Sequence, residues 1–280
     1  EHLEMMQRAL VLFARSEPPI CWAQDSAEGL TLVIMPRAVK EVLRERVFSQ
    51  RMPVVFSSAT LSAGGAFDYV ADSLGIDKYL SFRVDSPYEY EERMEALAVR
   101  WAGKPSLDEK TRKAMELIRR TDGRALLLFP SKEELGRFKR ASEEARRRAD
   151  YPFYFEGERE ISDLISSFQN DERSVLAAVT LWEGLDIPGP SLSNVIVWTL
   201  PWPPNDPVFE ARRNASGNPY AEVDLPYMQL RLRQGVGRLI RTREDRGIVA
   251  LMDERLTESE ELRSVVQELL PAGVELRLEQ

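Results

Sequence analysis

The chain has 280 residues, 43% of them hydrophobic, enough to bury a sizeable core as one large domain or two modest ones. Its single cysteine, Cys21, and single histidine, His2, exclude a disulfide framework, a CxxC zinc site, a cysteine-ligated iron–sulfur cluster and a histidine-based triad within these residues. A net charge of −8 argues against a surface coated for nucleic acid. No apolar run approaches the ~20 residues of a membrane span, so a soluble, cytoplasmic protein without a membrane partner is expected.

In chain order, Leu3 to Phe13 reads as a helix, followed by a turn at Pro18-Pro19 and strands at 20–23 and 30–35 around a turn at Ser26 to Gly29. Arg37 to Phe48 reads as a helix with Val39, Val42, Leu43 and Val47 on one side. Pro53 to Phe56 has the wholly apolar look of a buried parallel strand, and it ends in Ser57, Ser58, Ala59, Thr60 and Leu61, where open α/β sheets place ligand-handling loops. The polar, acidic stretch 81–95 reads as a domain junction. Beyond it, strands are expected at 96–101, 124–129, 153–155, 175–179, 195–200 and 248–252. Helices are expected at 107–120, from Lys132, and at 161–169, 226–241 and 259–270. Alternation of this kind predicts an α/β fold, a mostly parallel sheet with helices on both faces.

Three strand ends carry candidate chemistry. Ser131 with Glu134 three residues on is a capping box, which by itself accounts for both; the alternative is a phosphate held by the exposed amides and hydroxyl of the helix start. The loop Thr180 to Gly189 offers a hydroxyl and two carboxylates, Glu183 and Asp186, on a backbone shaped by Gly184, Pro188 and Gly189. These could be turn residues or could grip a ribose or phosphodiester, and Trp182 reads first as a packing residue. Pro201 to Pro207 cannot extend a sheet and reads as a stiff connection.

Gln229 to Thr242, QLRLRQGVGRLIRT, reads as a helix whose faces differ in character. Gln234, Arg238 and Arg241 fall on one side with Arg231, while Leu232, Val236, Leu239 and Ile240 gather on the other. The basic side is either a solvated face or an anion site. Gly235 and Gly237 each cost about 1 kcal/mol against alanine within a helix, which points to a close approach of backbone or ligand there. A second basic group, Arg137 to Arg148, is interrupted by Glu143 and Glu144 and reads as a solvated face.

Together these stretches resemble the superfamily 2 helicases, in particular the DinG and XPD group. Ser57 to Leu61 resembles motif III, Leu127 to Ser131 motif IV, Thr180 to Gly189 motif V and Gln234 to Arg241, QGVGRLIR, motif VI. WEGLDIPG followed by LPWPPNDPVF is closer to DinG, as is the run Leu251 to Leu256. The resemblance implies a RecA-like P-loop NTPase helicase fold with two motor domains, ATP and Mg²⁺ in the cleft between them, and single-stranded or forked DNA across both. It implies arginine fingers at Arg238 and Arg241, with Gln234 sensing nucleotide state. It also implies that Glu183, Gly184 and Asp186 sit on the nucleotide side and that Ser131 and Thr180 touch DNA phosphates. Ser57, Ser58, Ala59 and Thr60 would couple hydrolysis to domain movement.

Departures from the family pattern set the expected extent. There is no GxxxxGK[ST] phosphate loop; Gly103-Lys104-Pro105 lacks the upstream glycine and the following hydroxyl. There is also no DEAH-type magnesium box and no set of four cluster cysteines. These belong to the earlier part of such a protein, so residues 1–83 are expected to be the end of motor domain one and 84–280 motor domain two. Alone, such a segment is expected to be monomeric and not to hydrolyse ATP, and any 4Fe–4S cluster would lie in the earlier part. Two other readings stay open on the sequence: a RecA-like module that binds nucleic acid or protein without acting as a motor, and the helicase-like part of an exonuclease fusion.

Overall fold

The computed structural model describes residues 3–4, 7–8, 11, 20–26, 29–35, 39–50, 52–57, 67–82, 84, 88–183, 187 and 191–280. The chain divides into two compact units, Glu1–Arg83 with Pro203–Tyr227, and Val84–Trp202 with Met228–Gln280. Residues 203–227 thus group with the first unit.

In the first unit, β1 (Ile20–Ser26) and β2 (Gly29–Met35) form an antiparallel pair, Ile20 opposite Met35. Helix α1 (Val39–Leu43) runs into a wider turn at Arg44–Phe48, and α2 (Asp68–Leu74) follows. Gly75 ends α2 at φ 73°, and a Cβ there would meet the Lys40 carbonyl oxygen at 2.4 Å, so both conformation and space demand glycine. Arg44 closes the same contact, donating to the Gly75 carbonyl at 3.2 Å and pairing with Asp77 at 2.8 Å. The strand expected at 53–56 is absent. Residues 52–57 have no regular structure and lie exposed, Val55 at 86%. An apolar run becomes a strand only beside a partner, and the described strands of this unit pair only with each other.

The second unit is built on seven strands, all paired in parallel. They are β3 (Met94–Val99), β4 (Ala125–Leu128), β5 (Phe153–Phe155), β6 (Val175–Ala178), β7 (Asn194–Val197), β8 (Gly247–Leu251) and β9 (Leu276–Glu279). Their order across the sheet is β5-β6-β4-β7-β8-β3-β9. The central strands are short apolar runs because both faces are covered. On one face, Leu127, Phe129, Ile196 and Trp198 pack against Ala114, Leu117 and Ile118 of α3 (Leu107–Arg120) and Phe138 of α4 (Lys132–Ala141). The rings of Phe129, Phe138 and Trp198 lie 5.1–5.5 Å apart. Further helices are the short α5 (Glu143–Arg147), α6 (Ile161–Asn170), α7 (Pro207–Asn214, in the first unit), α8 (Leu225–Val236), α9 (Arg255–Glu258) and α10 (Glu260–Leu269).

Candidate functional site

Parallel pairing brings the carboxyl ends of neighbouring strands to one edge. Leu128 of β4 stands opposite Ala178 of β6 and Val197 of β7, so Ser131, Thr180 and Thr199 follow adjacent strands out of the sheet. Ser131 caps α4, its hydroxyl accepting from the Glu134 amide at 3.2 Å. The expected capping box is only half formed, because the Glu134 carboxylate is taken by the Trp198 indole N–H at 3.1 Å and by Arg137. The full box is at the start of α3, where Ser106 and Glu109 bond reciprocally.

Thr180 is exposed, and its amide and that of Val179 both donate to one Glu156 carboxylate oxygen, at 2.9 and 2.6 Å. Glu156 thereby fixes the first residues of the loop. Trp182, 2% exposed, is the packing residue its type suggested. Gly184 and Asp186, like Ser58, Ala59 and Thr60, lie outside the described residues; Ser57 is described and exposed.

The helix expected through Arg241 stops at Val236, so Gln234, Arg238 and Arg241 do not share a helical face. Gly237 still donates to the Arg233 carbonyl, but Arg238 and Leu239 reach back only three residues, to Gly235 and Val236, which tightens and ends the helix. Gly235 is the point of close approach. A Cβ there would meet the Trp182 ring at 3.0 Å and Leu128 at 3.2 Å. Arg238 is 8% exposed, and its Nε and Nη2 both donate to the Trp182 carbonyl, at 3.2 and 3.0 Å. Gln234 reaches Glu183 at 3.4 Å, and the Arg231 guanidinium lies 5.8 Å from the Trp182 ring centre. The glycine and Arg238 thus close around Trp182 of the β6 loop, and the glutamine reaches the next residue, Glu183. Arg241 stands apart, half-buried, its main chain held by Tyr88 and Asp245.

Two further polar groups stand at these strand ends. Asp253, fully buried after β8, accepts from the Leu200 amide at 2.9 Å and from the Arg255 guanidinium at 2.6 and 2.8 Å, locking the ends of β7 and β8 together. Lys110, on α3, donates to Thr199 at 3.3 Å and sits 4.9 Å from the Trp198 ring centre. Burial holds its pKa below the ordinary lysine value despite nearby Glu254, Asp253 and Glu134. The first falls in the run Leu251 to Leu256, whose resemblance to DinG assigns Asp253 no role; the second has no local signal, since its partners are distant in sequence. The basic group at 137–148 is spent on its own acids, with Arg137, Arg147 and Arg148 pairing to Glu133, Glu143 and Glu144, and Arg146 lies over the rings of Phe153 and Phe155.

Residues 114–272 match the family of the helicase C-terminal domain. The chain belongs to that family. It is 50% identical over 274 residues to the probable ATP-dependent helicase YpvA of Bacillus subtilis, covering 97% of this chain and 41% of that protein. It is 35% identical to the ATP-dependent helicase DinG of Mycobacterium tuberculosis over 270 residues, 89% of this chain and 40% of that protein. The chain therefore spans about two fifths of the length of these helicases. Among solved structures, one titled XPD helicase superposes with a TM-score of 0.65 at 19% identity, covering 99% of this chain and 51% of that one, a likeness of fold. The RecA-like helicase fold follows from that superposition, and the similarity to DinG from the sequence match. Among the described residues no helix is long and apolar enough to cross a membrane, and no group of three or more His, Cys, Asp or Glu side chains could hold a metal ion.

Proposed function

We propose that the chain is the C-terminal motor portion of an ATP-dependent, DinG-like DNA helicase, acting in repair or replication and moving 5′ to 3′ on single strands. Residues 1–83 would close motor domain one and the segment from 84 would form motor domain two. The observation that carries this reading is the joint around Trp182, where the carbonyl of a loop at a strand's carboxyl end accepts from Nε and Nη2 of Arg238 while Gln234 reaches Glu183 of the same loop. A planar, permanently charged guanidinium so anchored suits the charge that builds on a transferring phosphoryl group. The naming of the relatives as ATP-dependent helicases supports the same reading.

Arg238 and Arg241 then serve as arginine fingers, Gln234 relays nucleotide state, and Glu183 with Gly184 and Asp186 faces the nucleotide. Ser131 and Thr180 take DNA phosphates, and Ser57 to Thr60 couple the two motor halves. ATP with Mg²⁺ is bound jointly with the remainder of the longer protein, and no magnesium ligand is assigned to this chain. In the complete protein, Arg238→Ala and Arg241→Ala should each lower DNA-stimulated ATP turnover roughly 10³-fold or more. Unchanged turnover in either variant removes that residue from the set of fingers.

A further inference from the structure

Arg241 lies past the end of α8, in residues 237–246, which carry no regular secondary structure. No helix ladder fixes its main chain, yet that main chain is gripped from two sides. The Tyr88 hydroxyl donates to the Arg241 carbonyl at 2.7 Å, across 153 residues of sequence. One oxygen of Asp245, Oδ2, accepts from the amides of Arg241 and Thr242, both at 2.8 Å. Asp245 is only 8% exposed. A buried carboxylate is costly unless its hydrogen bonds are made, so it is not interchangeable with a solvated acid of the same turn such as Glu244. Tyr88 is braced in turn, its ring edge-on to Tyr90 with centres 5.9 Å apart.

We infer that Tyr88 and Asp245 are positioning residues that set the main chain of Arg241, and through it the guanidinium, for ATP hydrolysis. The inference rests on the finger reading of Arg241. Two different chemistries hold the two expected fingers: Arg238 by its side chain on a carbonyl, Arg241 by its backbone between a hydroxyl and a carboxylate. A side chain carried on an irregular segment is placed only as well as its backbone. A misplacement of about 1 Å in a catalytic group can cost about 100-fold in rate.

The test uses the complete protein with Tyr88→Phe, Asp245→Ala and Asp245→Asn, the last keeping an acceptor oxygen in place. Hydrogen exchange in peptides covering 239–246 reads the clamp without reference to activity. Asp245→Ala should speed exchange there about tenfold, with β4 and β7 unaffected and Asp245→Asn close to wild type. In DNA-stimulated ATPase, Asp245→Ala and Tyr88→Phe should lower kcat about 10- to 100-fold with little change in the KM for ATP, and Asp245→Asn should restore most of it. Neither should lower kcat further in an Arg241→Ala background, because each acts through that residue. Unaltered exchange in both Asp245→Ala and Tyr88→Phe overturns the inference. So does altered exchange with normal kcat while Arg241→Ala is impaired, or a full additional loss in the Arg241→Ala background. If Arg241→Ala turns over normally while exchange responds as expected, the finger reading fails and the backbone clamp stands. Should Asp245→Ala not fold, Tyr88→Phe removes only a hydroxyl and carries both measurements.

Discussion

At Gly235, two opposed effects can be weighed. Alanine would gain about 1 kcal/mol of helix propensity. Its Cβ, however, would stand 3.0 Å from the Trp182 ring and 3.2 Å from Leu128, and those neighbours are 2% and 0% exposed. Buried side chains on both sides leave little room to yield, and overpacking of this kind typically costs 1–3 kcal/mol, so packing wins. Gly235→Ala is expected to be destabilising by about 1 kcal/mol in denaturant titration, with the proposed ATP turnover of the complete protein falling as well because Trp182, whose carbonyl seats Arg238, is displaced. A variant more stable than wild type would show that the ring moves freely. The paired glycines of this segment thus have separate explanations: Gly235 admits the indole, and Gly237 lies where the helix closes.

Among the elements, α4 poses the sharpest choice, because the Ser131 hydroxyl both caps the helix and is proposed to meet DNA. Aspartate caps as well as serine, whereas alanine loses about 1 kcal/mol of helix stabilisation. Ser131→Asp should therefore keep the thermal stability of wild type yet weaken single-stranded DNA binding, since a carboxylate repels phosphate; Ser131→Ala should lose some of both. Wild-type DNA affinity in Ser131→Asp would leave the cap as the whole role of this residue. The short apolar strands from β4 to β8 were legible because full burial on both faces makes Leu126, Leu127, Val195, Ile196 and their neighbours continuous hydrophobic runs. The same signal misled at Val54 and Val55, where strand pairing, a property of the surroundings, is missing. Edge strand β9, Leu-Arg-Leu-Glu, has no apolar run to mark it, and its Glu279 serves pairing with α3, bonding Arg120 and lying 3.7 Å from Lys113. Helix α7 did leave a sign in Asp206-Pro207, the Asp206 carboxylate accepting from the Phe209 amide at 2.8 Å. The halt of α8 at Val236 matters most for the site, since it separates Arg241 from the helix whose face it was expected to share.

For the whole molecule, net charge and local neutralisation would leave the proposed DNA binding to a few contacts. With −8 overall and the 137–148 arginines largely paired to their own glutamates, neutralisation of two or three phosphates on a single strand gives a slope of about −1.4 to −2.1 in log K against log salt. A fourfold rise in salt should then weaken binding roughly 7- to 20-fold by fluorescence anisotropy with a labelled oligonucleotide. Affinity indifferent to salt would sink the phosphate-tracking roles given to the strand ends. The segment 203–227 adds a consequence for anyone dissecting the protein with a protease. Because the chain leaves the second unit after Trp202 and rejoins it at Met228, the two units are joined by three covalent passages rather than one. A single nick near Arg83 would leave them tethered, and releasing the second unit requires further cuts on both sides of the excursion, the second of them inside the helix that carries Gln234.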